Sequence, residues 1–142
     1  MHLFWRLVQY RILTKAEMSI YFAIALGGSL GAVARFWVSS TTFKLLGVEF
    51  PYGTLAVNVL GSLLMGFLTV MLINRFHVSD EIRFGVLAGF LGSFTTFSAF
   101  AMDTLYLMES GAMLKSIGYV LITVLFCVFG VWAGLVTAKQ IL

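Results

Sequence analysis

Four apolar runs, at 19–39, 53–73, 85–107 and 117–138, constrain this chain more than anything else in it. Each reaches the length, about 20 residues, that an α-helix needs to cross the hydrocarbon of a bilayer. The connections, Thr41–Tyr52, Asn74–Phe84 and Met108–Ser116, are too short to build a core of their own. Lipid offers a backbone no hydrogen-bond partner, so a run of this length crosses it as a helix. Of the 142 residues, 61% are hydrophobic and 11% are charged, whereas a soluble domain has about 25% charged residues. The expected fold is therefore an all-α membrane protein with four transmembrane helices.

Composition also excludes function classes. The formal charge of +3 is small and falls between the apolar runs, where it reads as membrane-surface charge and not as a nucleic-acid patch. The single Cys127 rules out an intrachain disulfide and a cysteine metal cluster, and His2 and His77 lie outside the apolar runs. The residues form no paired carboxylate, no Ser/His/Asp set and no glycine-rich loop between a strand and a helix, so an enzyme is not expected. The first apolar run leads into further spans without a small-residue cleavage site, so no secretory signal is expected.

Two regions follow from this pattern. Residues 1–18 carry Arg6, Arg11 and Lys15 among Leu, Phe and Trp. They read either as a short interfacial amphipathic helix or as an extension without a role, with Met18 as an alternative start. Residues 19–142 form the membrane domain. Four spans put both termini on one side. Arg6, Arg11, Lys15, Arg75, Arg83 and Lys139 lie on that side, against Arg35, Lys44 and Lys115 on the other. The positive-inside rule then places the termini in the cytoplasm. From Met18 onward the count is three against three, the balance of a chain able to insert both ways. Arg35, near the end of the first run, can snorkel to the interface. Pro51 precedes the second span, where its missing N–H costs nothing. Three glycine pairs, Gly27 and Gly31, Gly85 and Gly89, and Gly130 and Gly134, have the spacing that lets helices approach closely.

The third run is unlike the others. From Gly89 to Phe100 it concentrates glycines, hydroxyls and phenyl rings at mid-membrane, with no Lys, Arg, Glu or His. A helix that had only to cross lipid would carry Leu, Ile and Val there. Thr95, Thr96 and Ser98 beside Gly92 point to a break in the helix, its backbone satisfied by hydroxyls or by a bound ion. Such backbone survives at membrane depth only where protein or a water path covers it. Phe97 and Phe100 share a helical face, as do Phe90 and Phe94. They read as packing residues, or as ring edges, electropositive by the ring quadrupole, against which a small anion rests. Asn58 stands alone in the second span. Its amide either bonds another helix or donates to an anion or a water file. Tyr119, Thr123 and Cys127 recur every four residues on the fourth run, as an interhelical stripe or as a track of O–H and S–H donors. Asp103 reads as a cap or as a partner of Arg35.

These residues resemble a family. The first span's Gly27-Gly28-Ser-Leu-Gly31-Ala-Val-Ala-Arg35-Phe36, the second's Gly53-Thr54-Leu-Ala-Val-Asn58 and the third's Gly89-Phe-Leu-Gly92-Ser-Phe-Thr95-Thr96-Phe97-Ser98-Ala-Phe100 look like those of the Fluc (CrcB) fluoride channels, over about residues 19–138. The third motif is the specific one. The resemblance implies a dual-topology homodimer, two subunits antiparallel in the bilayer, enclosing two pores. It implies export of fluoride down its gradient across the bacterial inner membrane, which protects the cytoplasm. By position it implies that Phe97 and Phe100 line the pore with Asn58, Thr96 and Ser98. It further implies that Tyr119, Thr123 and Cys127 continue the pore as a polar track, that Arg35 sits at a vestibule, and that Gly92 and Thr95 give backbone carbonyls to a structural sodium ion at the dimer two-fold. Ala99 and Ala101 stand where the family commonly has Thr and Ser, Asp103 where Glu is common, and Cys127 where a hydroxyl is usual.

Two other architectures fit four spans. A small multidrug transporter needs a carboxylate within its first span, and residues 19–39 contain neither Asp nor Glu. A non-transporting assembly subunit has no use for Asn58, the Thr-Thr-Phe-Ser segment and the fourth-span stripe together.

Overall fold

The computed structural model describes residues 15–141, which carry no strand and four helical spans long and apolar enough to cross a membrane. Helix α1 is Lys15–Leu46. Helix α2, Tyr52–Val70, continues as a π-helical turn over Met71–Arg75. The third span, Asp80–Glu109, is built in pieces. Its first half, α3, opens as Asp80–Phe84, runs π-helical through Gly85–Leu91 and ends in the turn Gly92–Phe94. Its second half, α4, is Phe97–Glu109, and α5 is Met113–Ile141. The amino-terminal segment read as an interfacial helix lies almost wholly outside the described residues. Helix α1 is already formed at Lys15, ahead of Met18.

The spans outrun the apolar runs at both ends. Helix α1 passes Arg35 and continues to Leu46, and Thr42 on the way satisfies its hydroxyl within the helix, Oγ1 donating to Val38 O at 2.8 Å. Arg35 therefore sits well inside the helix and not near its end. The connections shrink accordingly. Gly47 and Gly111, just past the ends of α1 and α4, hold φ of +80° and +79°, left-handed positions that favour glycine. Pro51 caps α2, and its carbonyl accepts from Leu55 N at 3.1 Å.

Glycine sets the packing. A Cβ on Gly27 would collide with Gly85 O, and one on Gly31 with Phe90 O, so α1 and α3 lie backbone against backbone. A Cβ on Gly66 would collide with Val131 O, and one on Gly134 with Leu63 O, so α2 and α5 form a second close pair. Without a hydrophobic drive between helices in lipid, this close fit is what holds them together. Among the described residues the buried apolar core is small: Val57 and Val70 of α2, Leu91 and Phe94 of α3, Phe100 of α4, and Tyr119 and Ala138 of α5. Large apolar side chains cover the outside, as a lipid-facing surface requires. Leu91, Phe94, Phe100 and Tyr119 of this core gather about the junction of α3 and α4, and the site lies there.

Candidate functional site: a cavity at the interrupted third span

Between Phe94 and Phe97 the backbone is extended, at Thr95 (φ −79°, ψ 158°) and Thr96 (φ −152°, ψ 114°). Asn58 explains how this is tolerated. Its Nδ2 donates to Thr96 O at 3.0 Å, and its Oδ1 accepts from Thr96 N at 2.7 Å. One amide thus satisfies both backbone groups of the residue at the centre of the interruption. Thr96 Oγ1 then accepts from Ala99 N at 3.2 Å and caps α4. Opposite, Gly61 of α2 leaves room for Thr95, whose Cγ2 a Cβ there would strike.

These bonds have a consequence for two carbonyls. In a continuous α-helix the N–H of residue i+4 serves the carbonyl of residue i. The partner of Gly92 O would be Thr96 N, and that of Thr95 O would be Ala99 N. The first is engaged by Asn58 Oδ1 and the second by Thr96 Oγ1. The Arg35 guanidinium comes to 3.5 Å from Thr95 O. Gly92 is exposed on the surface of the chain. Among the described residues no three His, Cys, Asp or Glu side chains gather as a metal site. A cation at this place would be held by backbone oxygens, the hard ligands that alkali and alkaline-earth ions take.

On the α5 side of the interruption lies a cavity of about 290 Å³. Asn58, Thr96, Phe97, Phe100, Thr123 and Cys127 are among the residues that line it, and all of these are uncharged. The Phe97 and Phe100 rings are 5.5 Å apart and tilted by 46°. Phe100 is buried, whereas Phe97 is 79% exposed. Thr123 Oγ1 is buried and has no hydrogen-bond partner. The second amide hydrogen of Asn58 is not used by Thr96 O, so the cavity wall holds donor capacity beyond its own bonds.

The other expected residues fall on two further surfaces. Ser98 and Arg35 line a second cavity, between α1 and α4, together with Thr96. Tyr119 does not line the first cavity. It is fully buried, its ring 5.3 Å from that of Phe100 and edge-on to Phe50 at 5.4 Å. Its hydroxyl faces Asp103 Oδ2 at 3.4 Å. Asp103 in turn accepts from Thr54 Oγ1 at 2.6 Å, so its bonds run to α2 and α5 and not to Arg35. Thr54 escaped the reading of the sequence as an individual site residue. Its signal was weak: one hydroxyl four residues ahead of Asn58, on the same face of α2. Phe90 and Phe94 stack nearly parallel, 6.0 Å apart, inside α3 and outside the cavity.

Comparison with known proteins agrees with the motifs. Residues 22–135 match the family described as CrcB-like protein, Camphor Resistance (CrcB). A protein of Methylococcus capsulatus named fluoride-specific ion channel FluC is 54% identical over 120 residues, 84% of this chain and 53% of that protein. The chain thus spans about half the length of that relative. Proteins of the same name from Hahella chejuensis and Geobacter sulfurreducens are 42% and 41% identical, and there the matches cover 94% and 100% of the relative. With the family pattern matched over most of its length and its four spans in order, this chain belongs to the CrcB family.

Proposed function

We propose that this chain is a fluoride-selective channel that lets fluoride leave the cytoplasm down its electrochemical gradient, across the bacterial inner membrane. The observation that carries the reading is the neutral cavity at the interruption. Fluoride is small and strongly hydrated, so a path for it must replace water with donors. A lysine or arginine there would hold the ion too well, and conduction needs weak, repeated sites. The Asn58 amide, the Thr123 hydroxyl and the ring edges of Phe97 and Phe100 are donors of that kind. Tyr119 and Asp103 continue the polar surface beyond the cavity.

The working unit in this reading is an antiparallel homodimer in which each chain inserts in either orientation. Phe97 and Gly92, both exposed on the single chain, are where a second copy would complete the site. The carbonyls of Gly92 and Thr95, whose helical partners are engaged elsewhere, would hold a structural sodium ion at the two-fold. The end of α3 supports this, because a helix C-terminus favours a cation, while the α4 N-terminus favours an anion. The ion would supply positive charge at mid-membrane without a basic side chain.

Fluoride efflux from liposomes that hold the purified protein, read with a fluoride electrode and repeated with chloride, tests the reading. Fast fluoride efflux with chloride retained is expected. Equal rates for both ions, or no efflux from folded protein, would overturn it. The sodium ion is tested separately. Protein purified and reconstituted with N-methylglucamine in place of sodium is expected to lose at least about tenfold in fluoride flux, equivalent to about 1.4 kcal/mol, and to unfold at a lower temperature. Unchanged flux and melting would remove sodium from the account.

A further inference from the structure

We propose that Phe50 is a further ring of the ion path, placed at its outer mouth, where its electropositive edge helps the anion past the carboxylate of Asp103. The inference rests on the fluoride reading above. The rings of this chain form a ladder that leads away from the first cavity. It starts with Phe97 and Phe100, and Phe100 lies 5.3 Å from Tyr119. Tyr119 lies 5.4 Å from Phe50, with the ring planes at 89°, and Phe50 lies 4.9 Å from Tyr52. The ladder is open at both ends, since Phe97 is 79% and Tyr52 39% exposed, and Tyr119 between them is fully buried. Phe50 belongs to the connection between α1 and α2. Gly47, Val48 and Glu49 of that connection are exposed, whereas Phe50 is half-buried and is its inward anchor.

Rings in contact are often packing and nothing more. Two further observations tie Phe50 to the path. It lines a third cavity, of about 360 Å³, together with Ser39, Glu49, Thr54, Asp103 and Tyr106. The Asp103 carboxylate, which faces the Thr54 and Tyr119 hydroxyls, is in that wall, so the polar surface that leaves the first cavity ends here. The second observation is the charge of the wall. Among the described residues no Lys, Arg or His lines this cavity, while Asp103 and Glu49 both repel an anion. Thr54 and Tyr119 turn their hydroxyls to Asp103 and not to the passing ion. A ring edge supplies positive potential there. It does so without the full charge that would hold the ion in place.

The experiment uses the full chain, with fluoride efflux read in liposomes and the midpoint of unfolding read in detergent for each variant. Replacing Phe50 by pentafluorophenylalanine keeps a ring of nearly the same shape and reverses the sign of its edge. This variant is expected to lose at least about threefold in fluoride flux with its melting unchanged. Phe50→Leu, which keeps apolar bulk without an edge, is expected to lose a similar factor. Phe50→Tyr, which keeps the edge, is expected to conduct as the parent does. A ring that only packs gives another pattern: the leucine variant melts lower, and the fluorinated ring leaves flux untouched. Parental flux with the fluorinated ring overturns the proposal. So does flux in Phe50→Leu at or above that of the parent, or a loss in Phe50→Tyr as large as in Phe50→Leu. If the parent passes no fluoride, the channel reading fails and this inference fails with it. A conducting parent whose Phe50 variants all conduct equally removes Phe50 alone.

Discussion

Asn58→Leu is expected to lose at least about a hundredfold in fluoride flux. The side chain is of similar volume, so the loss will not come from a hole between α2 and the third span. It will come from Thr96. Leucine removes both the acceptor of Thr96 N and the donor to Thr96 O. Each buried group left unpaired costs about 1–3 kcal/mol. Two such groups together cost about 2–6 kcal/mol, a range centred above the roughly 2.7 kcal/mol that a hundredfold change represents. The chain can relieve the cost at Thr96 N by returning it to its helical acceptor, Gly92 O. That closes the interruption and withdraws a carbonyl from the proposed sodium site. Asn58→Leu should therefore lose its thermal response to sodium as well as its fluoride flux. Asn58→Asp separates the two effects, because it keeps an oxygen for Thr96 N and presents an anionic oxygen to the cavity. It is expected to keep more of the sodium response than leucine does, while fluoride flux stays low through charge repulsion. A leucine variant with near-normal flux would show that the amide is neither clamp nor donor.

What this region's sequence reveals, and what it hides, has physical reasons. Apolar length is a one-dimensional property, so four spans could be read directly. Their ends could not, because Arg35, Thr42 and Lys44 remain helical in α1 although they are polar. The unusual third span was legible from Gly92, Thr95 and Thr96, residue types that a plain lipid-crossing helix does not need there. The partner of Thr96 was not. Asn58 lies 38 positions away, and periodicity gives the face a residue occupies but never the residue it meets. The glycine pairs promised close approach, and the structure adds which helices use them: Gly27 and Gly31 against α3, Gly134 against α2. The π-helical turn Gly85–Leu91 left no trace that could be read, because glycine spacing permits a wider turn without requiring one. Tyr119, Thr123 and Cys127 do share one face of α5, as the four-residue spacing requires. A helix advances about 6 Å over each four residues, and this carries Tyr119 past the cavity to Asp103. A single stripe thus serves two surroundings.

Phe97→Leu is expected to reduce fluoride flux at least about tenfold with almost no change in the stability of the single chain. The two halves of this prediction come from different observations. Phe97 is 79% exposed, so its ring buries little against its own chain. Surface substitutions of this kind stay within about 0.5 kcal/mol. Yet the ring lines the cavity, 5.5 Å from Phe100, and it supplies an electropositive edge that leucine lacks. Phe100→Leu is the contrast. Phe100 is buried against Tyr119 at 5.3 Å, so its loss reaches the core, and a fall in flux there would mix packing with conduction. Flux and the midpoint of unfolding in detergent, measured on both variants, separate the two. If Phe97→Leu conducts as well as the parent, ring edges are not ligands of the ion. Donation would then rest on Asn58 and Thr123 alone. If it loses flux while its melting stays put, a ring that holds nothing together in the single chain is kept for the ion.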